Sequence, residues 1–498
     1  MTLRPNPRAR LLALAAGLLI AVCAAAALSG GRARGAVAPP SLTVGGQTVG
    51  PPVPAGFVGL ATEYWNVEQE VGTDPTRPDR AFEQALLNLA PEGGFNLRIG
   101  GDSTDWSWWP IPGMKQPPWV RFTITPTWAA VTARLAADLH AHVIVGLNME
   151  AGNVRIDQAE VRGIGHALSR QPLTFELGNE PELYSHFPFY HTPAGIAVRG
   201  RPKTYTLLDM ASQWNQLAAG LPGVRLAGPG YTSLASLPYV NAFLTDSHRL
   251  GLLTVHTYPL RSTRCAAARP QDSELFTPPS LQGLASGLAA WESLARRHGI
   301  GLRVDEMNSI TCGGQPGVTN TLGPALWALN ILPLYAQAGI NGVNIQSRPF
   351  TAQNLIQTTD TSAGWRVRVQ PEYYGLLAFA QLTPPGSRML RTGALPNGLY
   401  AWADRTPQGQ MHVVITNVGP APRRVSLRGG AGPGSVETLT GGAGGLAATG
   451  GVRLGGRALS EQTGQLDGPA VTQTVSPHAG VYTVTVAPAS ATVLTVRG

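Results

Sequence analysis

From residue 57 to residue 382 the chain alternates between two hydrophobic rhythms. Short runs at 57–65, 95–99, 142–148, 175–181, 224–229, 252–258, 301–308 and 342–346 are continuously apolar or alternate with period two, as strands do. Between them, 79–89, 127–140, 204–220, 275–298, 321–338 and 372–382 repeat apolar positions every three or four residues, the period of a helix. Eight strand-then-helix units in roughly 330 residues is the arithmetic of an α/β fold of the (β/α)8, or TIM, barrel type. In such a barrel the chemistry gathers at the C-terminal ends of the strands.

Past residue 390 the helical rhythm stops. The runs 400–404, 411–417, 423–427 and 481–496 alternate with period two and have no helices between them, which predicts a small antiparallel β-sandwich. The Gly-rich stretch 428–457 still carries valines and leucines, so it reads as turns between short strands rather than as a linker. A lone strand at 41–49, followed by Gly-Pro-Pro at 50–52, is expected to pair into the same sandwich. The predicted plan is a leader at 1–38, a joining strand at 39–52, the barrel at 53–385 and the sandwich at 386–498.

Composition refines this picture in a few places. The 498 residues are enough for a large domain and a smaller one. A hydrophobic share of 43% fits a globular chain, while 60 glycines and 42 prolines call for many loops. The formal charge of +8 looks basic, yet Arg4, Arg8, Arg10, Arg32 and Arg34 all precede the first acidic residue, Glu63, and leave about +3 for the rest. That balance argues against nucleic acid or an anionic membrane surface as a partner.

The leading arginines precede an uncharged apolar run at 11–28 and then small residues ending in Ala36-Val37-Ala38. This is the layout of a secretory signal peptide, the alternative being an uncleaved N-terminal anchor at the lower limit for spanning. A secreted protein is therefore expected, or a cell-surface one if the leader stays. Without the leader two cysteines remain, Cys265 and Cys312, each a few residues past a predicted strand end. In an oxidising compartment they are expected to form a disulfide, two separate buried thiols being the alternative.

Two strand ends carry residues that a core has no reason to want. In Phe175-Glu176-Leu177-Gly178-Asn179-Glu180-Pro181 the glycine relaxes the strand just before Asn179 and Glu180. Glu176 and Glu180 would share a face of a regular strand, so a solvated edge is the plainer alternative. The run 301–308 ends on a second carboxylate, Glu306, 126 residues further on. Two carboxylates at the ends of two barrel strands suggest the pair that a retaining glycosidase needs, one to give and take a proton and one to attack. Asn179 fits as a donor to a sugar hydroxyl. His256 and Tyr258 end the sixth strand, where an imidazole or phenol would orient the nucleophile or simply cap the barrel. No metal-binding, nucleotide-binding or calcium-loop motif is present, so a reaction without cofactor or metal is expected, on a carbohydrate substrate. The aromatic runs Trp106, Trp108, Trp109 and Tyr184, Phe187, Phe189, Tyr190 read either as apolar packing under loops or as sugar-stacking platforms.

Asn-Glu-Pro on the fourth strand and Glu on the seventh are similar to the signature of clan A glycoside hydrolases. The ordered set at 97–106 (LRIGGDSTDW), 146–148 (GLN), the AGP of strand five, HTYP and DEMNS resembles family 79, the heparanase and β-glucuronidase family, over roughly residues 40–498. The resemblance implies a barrel with a sandwich built from both chain ends, Glu180 as acid/base, Glu306 as nucleophile, and Glu63, Asp105 and Asn148 as residues lining the sugar pocket. It also implies that Arg98 lies beneath the site, where a buried partnership with Glu176 is expected rather than direct catalysis. One departure stands out. Where the family's glucuronidases read the substrate carboxylate with two tyrosines, this chain has Thr311 and Ile345, so either Arg348 or Arg366 replaces them or the sugar is neutral.

Overall fold

The computed structural model describes residues 38–497. The expected leader at 1–38 lies outside that range but for its last residue. Among the described residues no helix is long and apolar enough to cross a membrane.

Eight parallel strands close into a barrel in chain order: Val58–Glu63, Asn96–Gly100, His142–Leu147, Leu173–Leu177, Leu226–Tyr231, Leu250–Thr257, Gly301–Met307 and Val343–Gln346. The eighth pairs back onto the first, with Val343 beside Val58. This is the expected (β/α)8 architecture. Helices form where the sequence supplies their starts: Thr125 caps Pro126–Asp138 by accepting from the Trp128 N–H, and Thr206 and Asp209 form a reciprocal capping box on Leu207–Ala219.

One local expectation is corrected and other elements are new. The helix expected from 275 starts only at Leu284, because Pro278 and Pro279 divert the chain through short turns at Asp272–Phe276 and Pro279–Gly283. Helices Val154–Ala167 and Leu237–Asp246, after the third and fifth strands, carried no sequence expectation. Two surface hairpins, Pro188–His191 with Ala197–Arg199 and Ile356–Thr361 with Gly364–Val369, also emerge only in the structure.

The outer faces of the barrel strands pack on the helices through residues such as Leu97, Val143, Val145 and Leu302, all buried. The interior is polar. Near its floor Arg303 donates to Asn344 Oδ1 at 2.6 Å and to the Val343 carbonyl at 2.9 Å, and Asn344 Nδ2 reaches the Asn96 carbonyl at 3.1 Å. Higher up, Arg98 of the second strand reaches Glu176 of the fourth and Asp305 and Glu306 of the seventh. Those strands are not neighbours, so these contacts cross the lumen and lead straight to the strand ends.

After the barrel the chain builds an antiparallel sheet. Ser41–Val49 enters it from the other end of the sequence, antiparallel to Arg388–Thr392 and parallel to Arg423–Arg428, with Leu42 beside Leu427. Alternation along Gln410–Asn417 sends Met411, Val413 and Ile415 into the sheet's own core and Val414 toward the barrel helices, where Trp402 meets Phe379 with ring centroids 6.0 Å apart. The Gly-rich stretch holds strands Gly434–Thr440 and Arg453–Leu454 joined by turns.

Candidate active site

The fourth strand ends at Leu177, and three consecutive residues then turn the chain. Gly178 takes φ 94°, where a Cβ would stand 3.0 Å from Met149 Sδ. Glu180 itself is left-handed, at φ 50° and ψ 46°, a conformation costing a non-glycine residue roughly 1–2 kcal/mol. The surroundings hold it there: its N–H donates to the Gly230 carbonyl of the fifth strand at 2.9 Å, and Pro181 opens a short helical turn, Pro181–Leu183. The result aims a carboxylate across the mouth of the barrel.

Glu306 faces it from the end of the seventh strand. Its side chain is 11% exposed against 26% for Glu180, so both reach the cleft but Glu306 sits deeper. Both oxygens of Glu306 are held: Tyr258 donates to Oε1 at 2.7 Å and Arg98 Nη1 donates to Oε2 at 2.8 Å. Glu180 has one such partner, His256, whose Nδ1 lies 2.9 Å from its Oε1. Glu180, His256 and Glu306 each present an atom within 4.8 Å of the others.

These settings push the two carboxyls apart. Burial raises Glu180 to about 6, Glu306 adds to the rise, and His256 only partly offsets it. Burial acts the same way on Glu306 but is outweighed by His256, Arg98 and the Tyr258 hydroxyl, which hold it below the usual carboxylate range. One group is placed to exchange a proton near neutrality and the other to stay ionised.

Arg98 fills both expected and unexpected roles. It pairs with Glu176 through Nε at 2.9 Å, as the sequence suggested, and its other nitrogens hold Glu306 and the Asn179 Oδ1, the latter at 2.9 Å. With its oxygen so engaged, Asn179 keeps its NH2 as the available donor. Burial drives Glu176 up to about 8 against the pull of Arg98.

The cleft, about 410 Å³, brings together Glu63, Asp102, Glu180, Phe187, Tyr258, Glu306, Thr311, Gln346 and Arg348. Glu63 accepts from the Ser103 N–H at 2.7 Å, and burial, aided by Asp102 and opposed by Arg348, pushes it up to about 8. Asp105 and Asn148, expected to line the pocket, are both buried. Asp105 Oδ1 accepts from the Tyr184 hydroxyl at 3.0 Å and the Glu150 N–H at 3.2 Å, and Asn148 Nδ2 donates to the Asp105 carbonyl at 2.8 Å. They fasten the loops after strands two, three and four to one another.

Thr311 lines the cleft; Ile345 is fully buried in the eighth strand, and the adjoining Gln346 faces the cleft in its place. Arg348 lines the cleft and pairs with Asp102 at 3.2 Å, whereas Arg366 lies on the surface hairpin opposite Thr359. Cys265 and Cys312 are joined as a disulfide, Cα atoms 6.5 Å apart, tying the loops after strands six and seven at the rim. Of the aromatic runs, Trp108 and Phe189 pack with Trp119 under the loops, and Trp106 stacks on Trp65 and has Arg121 over its ring. Phe187 alone in those runs is both in the cleft and largely exposed, at 63%.

Sequence reading missed Asp102, Gln346 and above all Asp305, which is fully buried against His256 and Arg98. Among the described residues, Glu180, His256 and Glu306 are the group that would best hold a metal ion. Their atoms are already matched to Arg98, Tyr258 and to each other, however, and Arg98 brings a fixed cation to that spot, so the donor set suits proton chemistry better.

No protein-family model matches the chain, and no curated protein does either. Solved structures do. The chain is similar to a 4-O-α-L-rhamnosyl-β-D-glucuronidase from Fusarium oxysporum 12S, at 17% identity and a TM-score of 0.69 over 91% of this chain and 100% of that one. It is similar to a GH51 arabinofuranosidase from Xanthomonas axonopodis pv. citri, at 13% identity and a TM-score of 0.60 over 92% and 99%. It is similar to a GH30 endoxylanase from Clostridium papyrosolvens C71, at 13% identity and a TM-score of 0.53 over 92% and 100%. At these identities the likeness establishes the fold, the one these clan A glycoside hydrolases share.

Proposed function

We propose that the chain is a retaining β-glycosidase that acts by double displacement, with Glu180 as acid/base and Glu306 as nucleophile. The observation that carries the reading is the approach of these two carboxyls, oxygen to oxygen within 4.8 Å, in surroundings that drive one up to about 6 and hold the other down. Retaining enzymes place their carboxyls about 5–5.5 Å apart and inverting ones about 6.5–9.5 Å, to leave room for a water. Glu306 attacks the anomeric carbon while Glu180 protonates the departing oxygen. Glu180, now a base, then takes a proton from the water that releases the sugar from Glu306. Arg98 and Tyr258 keep the nucleophile ionised and aimed, and the Asn179 NH2 and Glu63 serve sugar hydroxyls.

For the sugar, the reading is a β-glucuronidase-like enzyme of the family 79 type, supported by Arg348 in the cleft, where its guanidinium is placed to meet a carboxylate. A neutral sugar, as in a β-xylosidase-like enzyme, is favoured by the pairing of Arg348 with Asp102, which leaves that guanidinium already matched. Secretion is proposed on the apolar leader together with the disulfide at the cleft rim. The test is hydrolysis of aryl β-glucuronide, β-xyloside and β-glucoside by the purified protein. Turnover of one with retained configuration supports the reading and names the sugar, and no turnover of any aryl β-glycoside, or an inverted product, rejects it.

A further inference from the structure

Beneath the cleft lies a set of buried polar atoms that the proposed chemistry leaves without a task. Asp305 Oδ2 stands 3.3 Å from His256 Nε2 and 3.3 Å from Arg98 Nη2. Neither Asp305 oxygen, nor His256 Nε2, nor Glu176 Oε1 has a well-aligned hydrogen-bond partner among the described residues, although all are shut away from solvent. The other nitrogen of the same ring, His256 Nδ1, faces Glu180 Oε1 at 2.9 Å and Glu306 Oε1 at 3.8 Å. The charged and titratable groups around the ring are Glu176, Glu180 and Glu182 of the fourth strand and its turn, Asp305 and Glu306 of the seventh, Arg98 of the second, and Tyr258 beside it on the sixth. The imidazole therefore stands between Asp305 and Glu180, 3.3 Å from the one and 2.9 Å from the other.

The state of the ring decides where the proton of Glu180 points. A neutral ring with its hydrogen on Nε2, the tautomer that an acceptor at Asp305 selects, would turn the Nδ1 lone pair on Glu180 and draw the acid proton away from the cleft. A doubly protonated ring donates from Nδ1 to Oε1 instead and leaves the acid proton to Oε2. We propose that Asp305 is a positioning residue that, through His256 Nε2, keeps the imidazole doubly protonated and so directs the Glu180 proton toward the glycosidic oxygen. The proposal rests on the reading of Glu180 as acid/base. The electrostatics run the same way: burial disfavours the charged ring, but Glu306 and Asp305 outweigh it and raise His256 well above its ordinary value. Burial likewise opposes ionised Asp305 and is overcome by His256 and Arg98.

The experiment has two arms on the full chain. In the first, ¹⁵N NMR of the histidine rings, with His256 assigned by comparison with His256→Gln, reads protonation directly. Both ring nitrogens of His256 are expected to carry protons at neutral pH in the wild type, and only one in Asp305→Asn. In the second, Asp305→Asn is expected to slow an alkyl β-glycoside at least ~10-fold more than the dinitrophenyl β-glycoside of the same sugar, because only the alkyl leaving group needs the proton. A role confined to packing would lower both alike. A neutral His256 in the wild type at neutral pH, or equal losses on the two substrates, overturns the proposal. If Asp305→Asn does not fold, the wild-type spectrum decides. If the wild type hydrolyses no glycoside, it is the acid/base reading that fails, and the spectra still show whether Asp305 charges the ring.

Discussion

Arg98 Nη1 lies 2.8 Å from Glu306 Oε2, although 208 residues separate the two in the chain. The guanidinium is fully buried and touches Glu176 and Asp305 as well, so one side chain contacts three carboxyl groups from two strands. A fork with five donors can do this where an ammonium cannot. Arg98→Met removes a buried cationic partner from each of those carboxyls and is expected to cost about 3–5 kcal/mol of stability. Arg98→Lys is expected to fall between the two, and urea unfolding at neutral pH measures both. A methionine variant within about 0.5 kcal/mol of wild type would show that the cluster is not held by this charge.

Activity should follow a bell in pH, its sign set by what each carboxyl must be. Glu180 must carry a proton to act on a poor leaving group, so kcat/KM is expected to fall as pH rises through about 6. Glu306 must be ionised, and since it is held below its ordinary value the acid limb is expected below the usual range of a glutamate. A substrate whose leaving group needs no proton should lose the alkaline limb during glycosylation and keep the acid one. An alkaline limb that does not depend on the leaving group would assign it to some other residue.

The barrel and the carboxylate pair were legible because each left a mark in the local pattern. Eight strand-period runs alternate with six helix-period ones, and Glu180 and Glu306 each interrupt an apolar run just where a strand should stop. The place of Asp305 was less so. In Leu302-Arg303-Val304-Asp305 the charges alternate with apolar residues, a sign of an interior lined with polar groups, but only the closed barrel shows which partners cross the lumen. Helix Val154–Ala167 escaped notice because Gly163 and Gly165 weaken its propensity. Gly163 is nevertheless required by packing, since a Cβ there would run into the ring of Trp109. Asp105 and Asn148 are buried and bonded to the loops around them, a side of the loop that sequence order does not show.

The Cys265–Cys312 disulfide spans 47 positions of sequence. Cross-linking a loop of that size stabilises by about 4 kcal/mol in the chain-entropy model. The Cys265→Ser, Cys312→Ser variant is expected to lose roughly that amount, and to bind substrate more weakly because Thr311, Cys312 and Gly313 line the cleft. Chemical unfolding of the oxidised protein beside the double variant measures the first effect, and KM the second. Two free thiols found by alkylation of the unreduced protein would remove the premise.

Phe187 presents an exposed ring to the cleft beside Glu180 and Ser233, a place suited to stacking on the group that leaves. An aromatic contact of this kind is worth about 0.5–1.5 kcal/mol, so Phe187→Ala is expected to raise KM roughly 2- to 13-fold. Because the ring is exposed and has no part in the proposed proton transfer or attack, kcat for an activated aryl glycoside should hold. A drop in kcat with KM unchanged would place Phe187 in the chemistry rather than in binding.

The assignment of roles makes an asymmetric prediction. In Glu180→Ala an activated substrate still glycosylates Glu306, since its leaving group departs unprotonated, and the intermediate then waits for a base that is gone. Azide needs no base, so it should restore turnover and yield the β-glycosyl azide, configuration retained through two inversions. In Glu306→Ala no covalent intermediate can form on any substrate, and azide entering the space left by the carboxylate attacks directly and yields the α-azide by one inversion. The anomer recovered from each variant, read by proton NMR, therefore distinguishes the two glutamates whatever the absolute rates. Swapped anomers would reverse the assignment. Loss in both variants that azide does not relieve would mean that neither carboxyl has the role that its surroundings, one raised to about 6 and the other held low, fit it for.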